Sequence, residues 1–257
     1  MKFLKSLKEI YKFFLKIGIR KKRTILFSLL SFTPVLLIFI VKILEIAKPH
    51  SSISASHLYP NVIVAFYIQF IIEILAIFFG SSIIDEEVDN KTLVYLNTKP
   101  IEKVAVFIGK FLSYLTIILS MVIMGLIFTF LIAYFNNNMI GRVGELIKYL
   151  YASVFAILAY TSIFAMLSTF FKRTAMLGLL FVFGWESIVN YMPGSTQKLT
   201  IIHFVKSLIP QTAVNKQFLL FHLEPSSILT SVLVLLSITL ISIIIGAIIF
   251  KYKEYVI

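Results

Sequence analysis

Two carboxylic acids stand inside long apolar stretches of this 257-residue chain, where an ionisable side chain is costly. Glu73 is the twelfth residue of the run Val62–Ile84, about 16 Å in at 1.5 Å per helical residue, near the middle of the layer such a run crosses. Gln69 lies one turn before it on the same face. Glu186 follows Trp185 in the later half of the run Ala175–Pro193, with Asn190 one turn on. Carboxyls with amide companions at such depth can line a polar path, counter a cationic group or couple to an ion. They can equally sit protonated against a neighbouring helix. A second concentration of acids opens the polar island Asp85–Lys110, where Asp85, Glu86, Glu87 and Asp89 follow directly on an uncharged run. Lys91-Thr92-Leu93 and a short helical pattern lead from them to Lys99-Pro100.

The elements that position these groups must be membrane helices. With 59% apolar residues, 14% charged and a mean hydropathy of +0.96, the bilayer is the solvent for most of the chain. Six runs are long enough to cross a hydrocarbon core, which takes about 20 helical residues: Thr24–Ala47, Val62–Ile84, Val104–Phe135, Tyr149–Phe171, Ala175–Pro193 and Ser226–Phe250. None shows the polar–apolar alternation of a membrane barrel, so the spans read as helical. The sequence thus predicts an all-α membrane protein of six transmembrane helices in one domain, 1–257.

Charge sets the orientation. Nine of the 24 Lys and Arg residues lie in Met1–Arg23, and 17 in all fall on one side of the six runs against seven on the other. The positive-inside rule therefore predicts cytoplasmic N- and C-termini in a multi-pass protein of the cell membrane, and a cytoplasmic Asp85–Lys110 island. The net charge of +12 is a topology signal and an attraction to anionic lipid, not a nucleic-acid footprint. Lys2, Lys5, Lys8, Lys12 and Lys16 recur at steps of three and four among Phe, Leu and Ile. That spacing predicts an amphipathic helix lying in the inner headgroup plane within 1–23.

Lys48–Asn61, with Pro49 and Pro60 as stops, and Asn136–Lys148 read as outer loops. Lys172-Arg173-Thr174 reads as a tight cytoplasmic hairpin. The outer segment 194–225 holds apolar pieces too short to span, which predicts helices dipping back into the outer leaflet. Lys42 and Glu45, one turn apart, read as a headgroup-level ion pair.

Several chemistries find no motif. There is no phosphate-cradling Gly-x-x-x-x-Gly-Lys-Ser/Thr, so any ATP must be bound by another subunit. No zinc-protease or nucleophile-elbow motif occurs, there is no cysteine, and the four histidines are scattered. Neither a catalytic residue nor a metal ligand is assigned.

The polar island resembles the cytoplasmic coupling segment of the ABC-2 type exporter permeases, in which an acidic-x-acidic-x-Gly-Thr-Leu run leads to a proline and then Gly-Lys. Glu87, Asp89, Thr92, Leu93, Pro100, Gly109 and Lys110 fit that pattern, with Lys91 where the family usually has Gly. The resemblance extends over nearly the whole chain, through an interfacial N-terminal helix, six spans, a coupling helix within 85–103 and an outer re-entrant segment. It implies a permease that moves an amphipathic substrate (peptide, lipid or drug-like) outward. ATP and Mg²⁺ would belong to a separate ATPase subunit, present in two copies, beside a second permease copy or a related permease. Glu86, Glu87, Asp89, Asn90, Lys91, Thr92, Leu93 and Leu96 would then contact the ATPase. Gln69, Glu73, Glu186 and Asn190 would line the pathway, because spans two and five do so in the family. An ion-coupled carrier built on Glu73 and Glu186 would need an inverted repeat and helices broken at the midplane, neither of which the sequence carries. An intramembrane enzyme or a non-transporting assembly factor are the remaining readings.

Overall fold

The computed structural model describes residues 2–48, 54–89, 102–136, 139–190, 192, 194–210 and 225–253. Among these residues every regular element is helical. The order is α1 (Lys2–Arg20), α2 (Lys22–Ala47), α3 (Ala55–Glu87), α4 (Lys103–Ala133), α5 (Met139–Phe170), α6 (Thr174–Asn190), a 3₁₀ turn (Gly194–Leu199), α7 (Ile201–Ser207) and α8 (Ile228–Tyr252). Apolar side chains run almost unbroken along α2, α3, α4, α5 and α8, and these five are long and apolar enough to cross a membrane.

The fifth expected span is the exception. Among the described residues its helix α6 runs over Thr174–Asn190, roughly 25 Å at 1.5 Å per residue, short of a core of about 30 Å. Two expected loops are helical over part of their described residues, Lys48–Asn61 from Ala55 onward and Asn136–Lys148 from Met139 onward. Pro60, read as a stop, lies inside α3, near its start, and the backbone then continues as a π-helix over Ile63–Ile71. Proline removes one i→i−4 donor, which a helix tolerates best close to its beginning. The segment read as the loop Asn136–Lys148 is helical from Met139 onward. Arg142 pairs with Glu145 one turn along, and Glu145 also accepts from the Tyr134 hydroxyl at 3.1 Å. Polar residues thus extend α5 beyond its apolar part as a solvated helix. Within α2, Phe32 separates Lys22–Ser31 from Thr33–Ala47, and Pro34 just after it supplies the reason for the break.

Helices α4 and α5 form the centre. α5 packs against α8, α3, α4, α6 and α7, while α4 carries α1 along its length and also meets α2, α3 and α8. Polar hydroxyls stitch α2, α3 and α4 together: Tyr67 donates to the Ser31 carbonyl at 2.9 Å, and Ser31 donates to the Met121 carbonyl at 3.3 Å. At the far end of α2, Glu45 accepts from Lys42 at 3.4 Å and from the Ala55 N–H at 3.0 Å. That carboxylate therefore anchors the start of α3 as well as pairing with Lys42.

Gly125 of α4 makes the Tyr67 contact possible, since a β-carbon there would collide with the phenol, whose ring is fully buried. Gly144 of α5 has open space around it. Gly125→Ala is therefore expected to lower stability by about 1–3 kcal/mol through overpacking. Gly144→Ala should be neutral or stabilising by up to about 1 kcal/mol through helix propensity. Thermal unfolding of both variants in one detergent checks the contrast.

Candidate functional site

Glu73 and Glu186 meet across the bundle. Both are buried, at 4% and 2% exposure, and both reach the hydroxyl of Tyr160 on α5, which is itself fully enclosed. Tyr160 Oη lies 3.2 Å from Glu73 Oε1 and hydrogen-bonds Glu186 Oε2. The other oxygen of Glu186 accepts the Ile201 N–H at 2.8 Å, at the N-terminus of α7, where the helix dipole favours an anion. Thr200 caps that helix, accepting from the His203 N–H. Lys206, fully buried on α7, lies 3.4 Å from Asn190 Oδ1 and is drawn electrostatically to both carboxylates. Four elements, α3, α5, α6 and α7, thus converge on one polar node.

Beside the node lies a cavity of about 360 Å³, bordered by Gln69, Glu73, Glu186 and Asn190 together with Phe66 and Phe70. All four residues that the sequence places on a pathway border this one space. The backbone around it is unusual. The π-helical stretch Ile63–Ile71 supplies Phe66, Gln69 and Phe70, and a second, Phe181–Glu186, ends on Glu186. Wider turns of this kind are frequent at functional sites.

Sequence reasoning missed two members of the node. Lys206 counts as an outer-side charge until α7 folds inward and buries it, although its apolar surroundings, Ile201-Ile202-His203-Phe204-Val205, signal burial. Tyr160 is one phenol among 12 tyrosines, and nothing local marks it out. Among the described residues no group of three His, Asp or Glu side chains could hold a metal ion. His203 Nε2 instead meets Ser226 Oγ at 3.0 Å.

At the acidic end of α3, the single helical turn Asp85–Asp89 is bound into the rest of the chain. Asp85 caps α6 from outside it: Oδ2 accepts the Thr174 N–H at 3.1 Å and Oδ1 the Thr174 hydroxyl at 3.2 Å. Glu86 pairs with Lys21 at 2.5 Å and with Arg23, and accepts from Tyr114 Oη at 3.0 Å. Glu87 pairs at 2.9 Å with Lys110, a lysine only 1% exposed whose ammonium also lies 4.8 Å from the Phe14 ring centre. The carboxylates of Glu86 and Glu87, which the resemblance would turn toward an ATPase, are therefore satisfied within the chain. Asp89 closes the turn. Asn90, Lys91, Thr92, Leu93 and Leu96 lie outside the described residues.

The helix α1 carries Lys5, Lys8, Lys12 and Lys16 on exposed positions, with Lys2 in its first turn. Its other face packs on α4 rather than being free. Tyr11 Oη meets Thr116 Oγ1 at 3.2 Å, Ser113 donates to the Tyr11 carbonyl at 2.9 Å, and Gly109 leaves room for Ile10. Leu4, Phe13, Ile17 and Ile19 remain exposed.

Removing one partner of a buried ion pair strands the other charge. Glu87→Gln is expected to cost about 3–5 kcal/mol by leaving Lys110 unpaired in the interior. Glu86→Lys should also destabilise, and adding Lys21→Glu and Arg23→Glu should restore part of the loss. Unfolding midpoints of the single and compensated variants check both statements, and no recovery in the compensated variant would contradict the pairing.

No protein with a curated description matches the chain. The model of the family described as ABC-2 family transporter protein matches residues 10–255, almost the full length. The protein is a multi-pass transmembrane permease, and it belongs to the ABC-2 transporter family.

Proposed function

We propose that the chain is the permease of an exporter, moving an amphipathic substrate out of the cytoplasm or inner leaflet with ATP and Mg²⁺ held by two copies of a separate ATPase. In this reading α6 is a short fifth span, 194–225 re-enters from the outer side, and both termini are cytoplasmic. One such chain makes half a pathway, completed by a second copy or a related permease.

The observation that carries the reading is the wiring of the Asp85–Asp89 turn in a chain of this family. Asp85 ties the turn to the start of α6, while Glu86 and Glu87 tie it to α1, α2 and α4. A displacement of this turn therefore acts on α3 and α6 together, the two helices that carry Glu73 and Glu186. Glu86 and Glu87 form the base of the coupling segment, and Asp89 through Leu96, with Asn90, Lys91, Thr92 and Leu93, provide the ATPase contact. ATP closure of the ATPase dimer does work on the permease only through a difference in dimer affinity between inward- and outward-facing states. Meanwhile α1 keeps Lys2, Lys5, Lys8, Lys12 and Lys16 toward anionic headgroups, each contributing about 1 kcal/mol.

Co-purification with an ABC ATPase tests the assignment. Asp89→Lys combined with Thr92→Ala is expected to weaken ATPase capture or uncouple hydrolysis from transport, with the thermal stability of the permease unchanged. Capture and transport at wild-type levels in that double variant would remove the coupling role. For the pathway, Glu73→Leu is expected to reduce export while ATPase capture persists. Full export by Glu73→Leu would place the path elsewhere.

A further inference from the structure

Four carboxyl oxygens meet at the polar node, and among the described residues only three have a hydrogen-bonding group within reach. Glu186 is complete, with Ile201 N–H on one oxygen, Tyr160 on the other and Lys206 as counter-charge. Glu73 touches Tyr160 through Oε1 at 3.2 Å, while its Oε2 takes no hydrogen bond from any described residue. Yet this side chain is 4% exposed and borders the cavity.

The proton count sharpens the point. A phenol carries one proton and can donate one good hydrogen bond. If Tyr160 gives it to Glu186, the contact with Glu73 is a hydrogen bond only when Glu73 is the donor, and so carries a proton itself. Among the described residues the charges agree: Lys206 brings one positive charge to the two carboxylates, and a proton on Glu73 or a cation beside it supplies the second.

We propose that Glu73 is a cation-exchange site, at which the ammonium head of an amphipathic organic cation enters the cavity between α3 and α6 and the proton held between Glu73 and Tyr160 leaves to water. This names the substrate class for the pathway proposed above and rests on that reading. The surroundings select an organic cation. Phe66 and Phe70 line the cavity with aromatic rings, a residue type that attracts alkylammonium groups, and Gln69 and Asn190 add amide groups. A metal ion is not favoured by the same surroundings, since among the described residues no group of three His, Asp or Glu side chains could hold one. At about 360 Å³ the cavity is of small-ligand size and can enclose a head group. The titratable groups acting on Glu73 are Glu186 from α6, Tyr160 from α5 and Lys206 from α7.

The test uses the purified full chain in lipid nanodiscs, with benzyltrimethylammonium as probe and neopentylbenzene as its uncharged isostere, at fixed ionic strength. Calorimetry in buffers of different ionisation enthalpy counts the protons released. The expected result is saturable binding of the cation with about one proton released, and affinity rising about tenfold per pH unit where the exchange occurs. Glu73→Gln, folded by its melting profile, should abolish proton release and weaken binding at least about tenfold, while Glu73→Asp should keep both in part. Should Glu73→Gln not fold, the comparison of cation and isostere on the wild-type chain decides. No saturable cation binding, equal binding of the neutral isostere, no proton release, or preference for benzenesulfonate would each overturn the proposal. ATPase capture is read separately: a chain that captures the ATPase but not the probe loses the cation site alone, and one that binds the probe but captures no ATPase loses the exporter reading instead.

Discussion

In hydrocarbon a polar group has no water to fall back on, so the chain itself must supply every partner. This constraint shapes the interior more visibly than any apolar contact. Glu73 and Glu186 could not both be enclosed on separate helices without something between them, and the Tyr160 hydroxyl is that link. The same demand pulls α7 inward, because the second oxygen of Glu186 is satisfied by the first N–H of that helix and its charge by Lys206. A segment too short to span thereby becomes part of the interior.

The charged groups near the acidic end of α3 follow the opposite logic. They lie close to the ends of the helices, where long side chains reach polar surroundings, and they form a network rather than isolated pairs. Lys110 is the exception in depth, since it is buried and needs Glu87. Asp85 makes the most consequential contact mechanically, because it closes the buried N-terminus of α6 from the end of α3. A helix of 17 residues gains definition from such a cap, and the two helices that border the cavity gain a common anchor.

Next to the node both helices depart from regular α geometry, α3 just before Glu73 and α6 up to Glu186. The π-helical stretch Ile63–Ile71 lines the cavity through Phe66, Gln69 and Phe70, the stretch Phe181–Glu186 reaches it at Glu186, and each places an extra residue in a turn. Space for a ligand in a membrane bundle has to come from somewhere, and here it comes from the backbone of the helices that carry the acids. The apolar residues left exposed on α2, α6 and α8, such as Leu36, Leu180 and Leu233, are the ordinary outer surface of a protein whose solvent is lipid.

By itself the sequence determined the solvent, the helical class and the family, because each depends on long-range averages or contiguous patterns. Apolar length requires a bilayer, the absence of alternation requires helices, and the Glu87 to Lys110 pattern lies within one stretch of chain. It also marked Glu73, Glu186, Gln69 and Asn190 as a set, since a polar residue at membrane depth stands out against its neighbours. Tertiary structure alone decided which groups those residues meet. Tyr160 and Lys206 lie 87 and 20 positions from the acids they serve, so no local spacing could pair them. The pairing of Glu86 with Lys21 and of Glu87 with Lys110 was equally invisible, because charge complementarity is degenerate in a chain with 24 cations and 12 acids. Loop lengths failed for a related reason: polarity ends the membrane-embedded part of a helix, not the helix, so α5 starts at Met139 well before its apolar face begins.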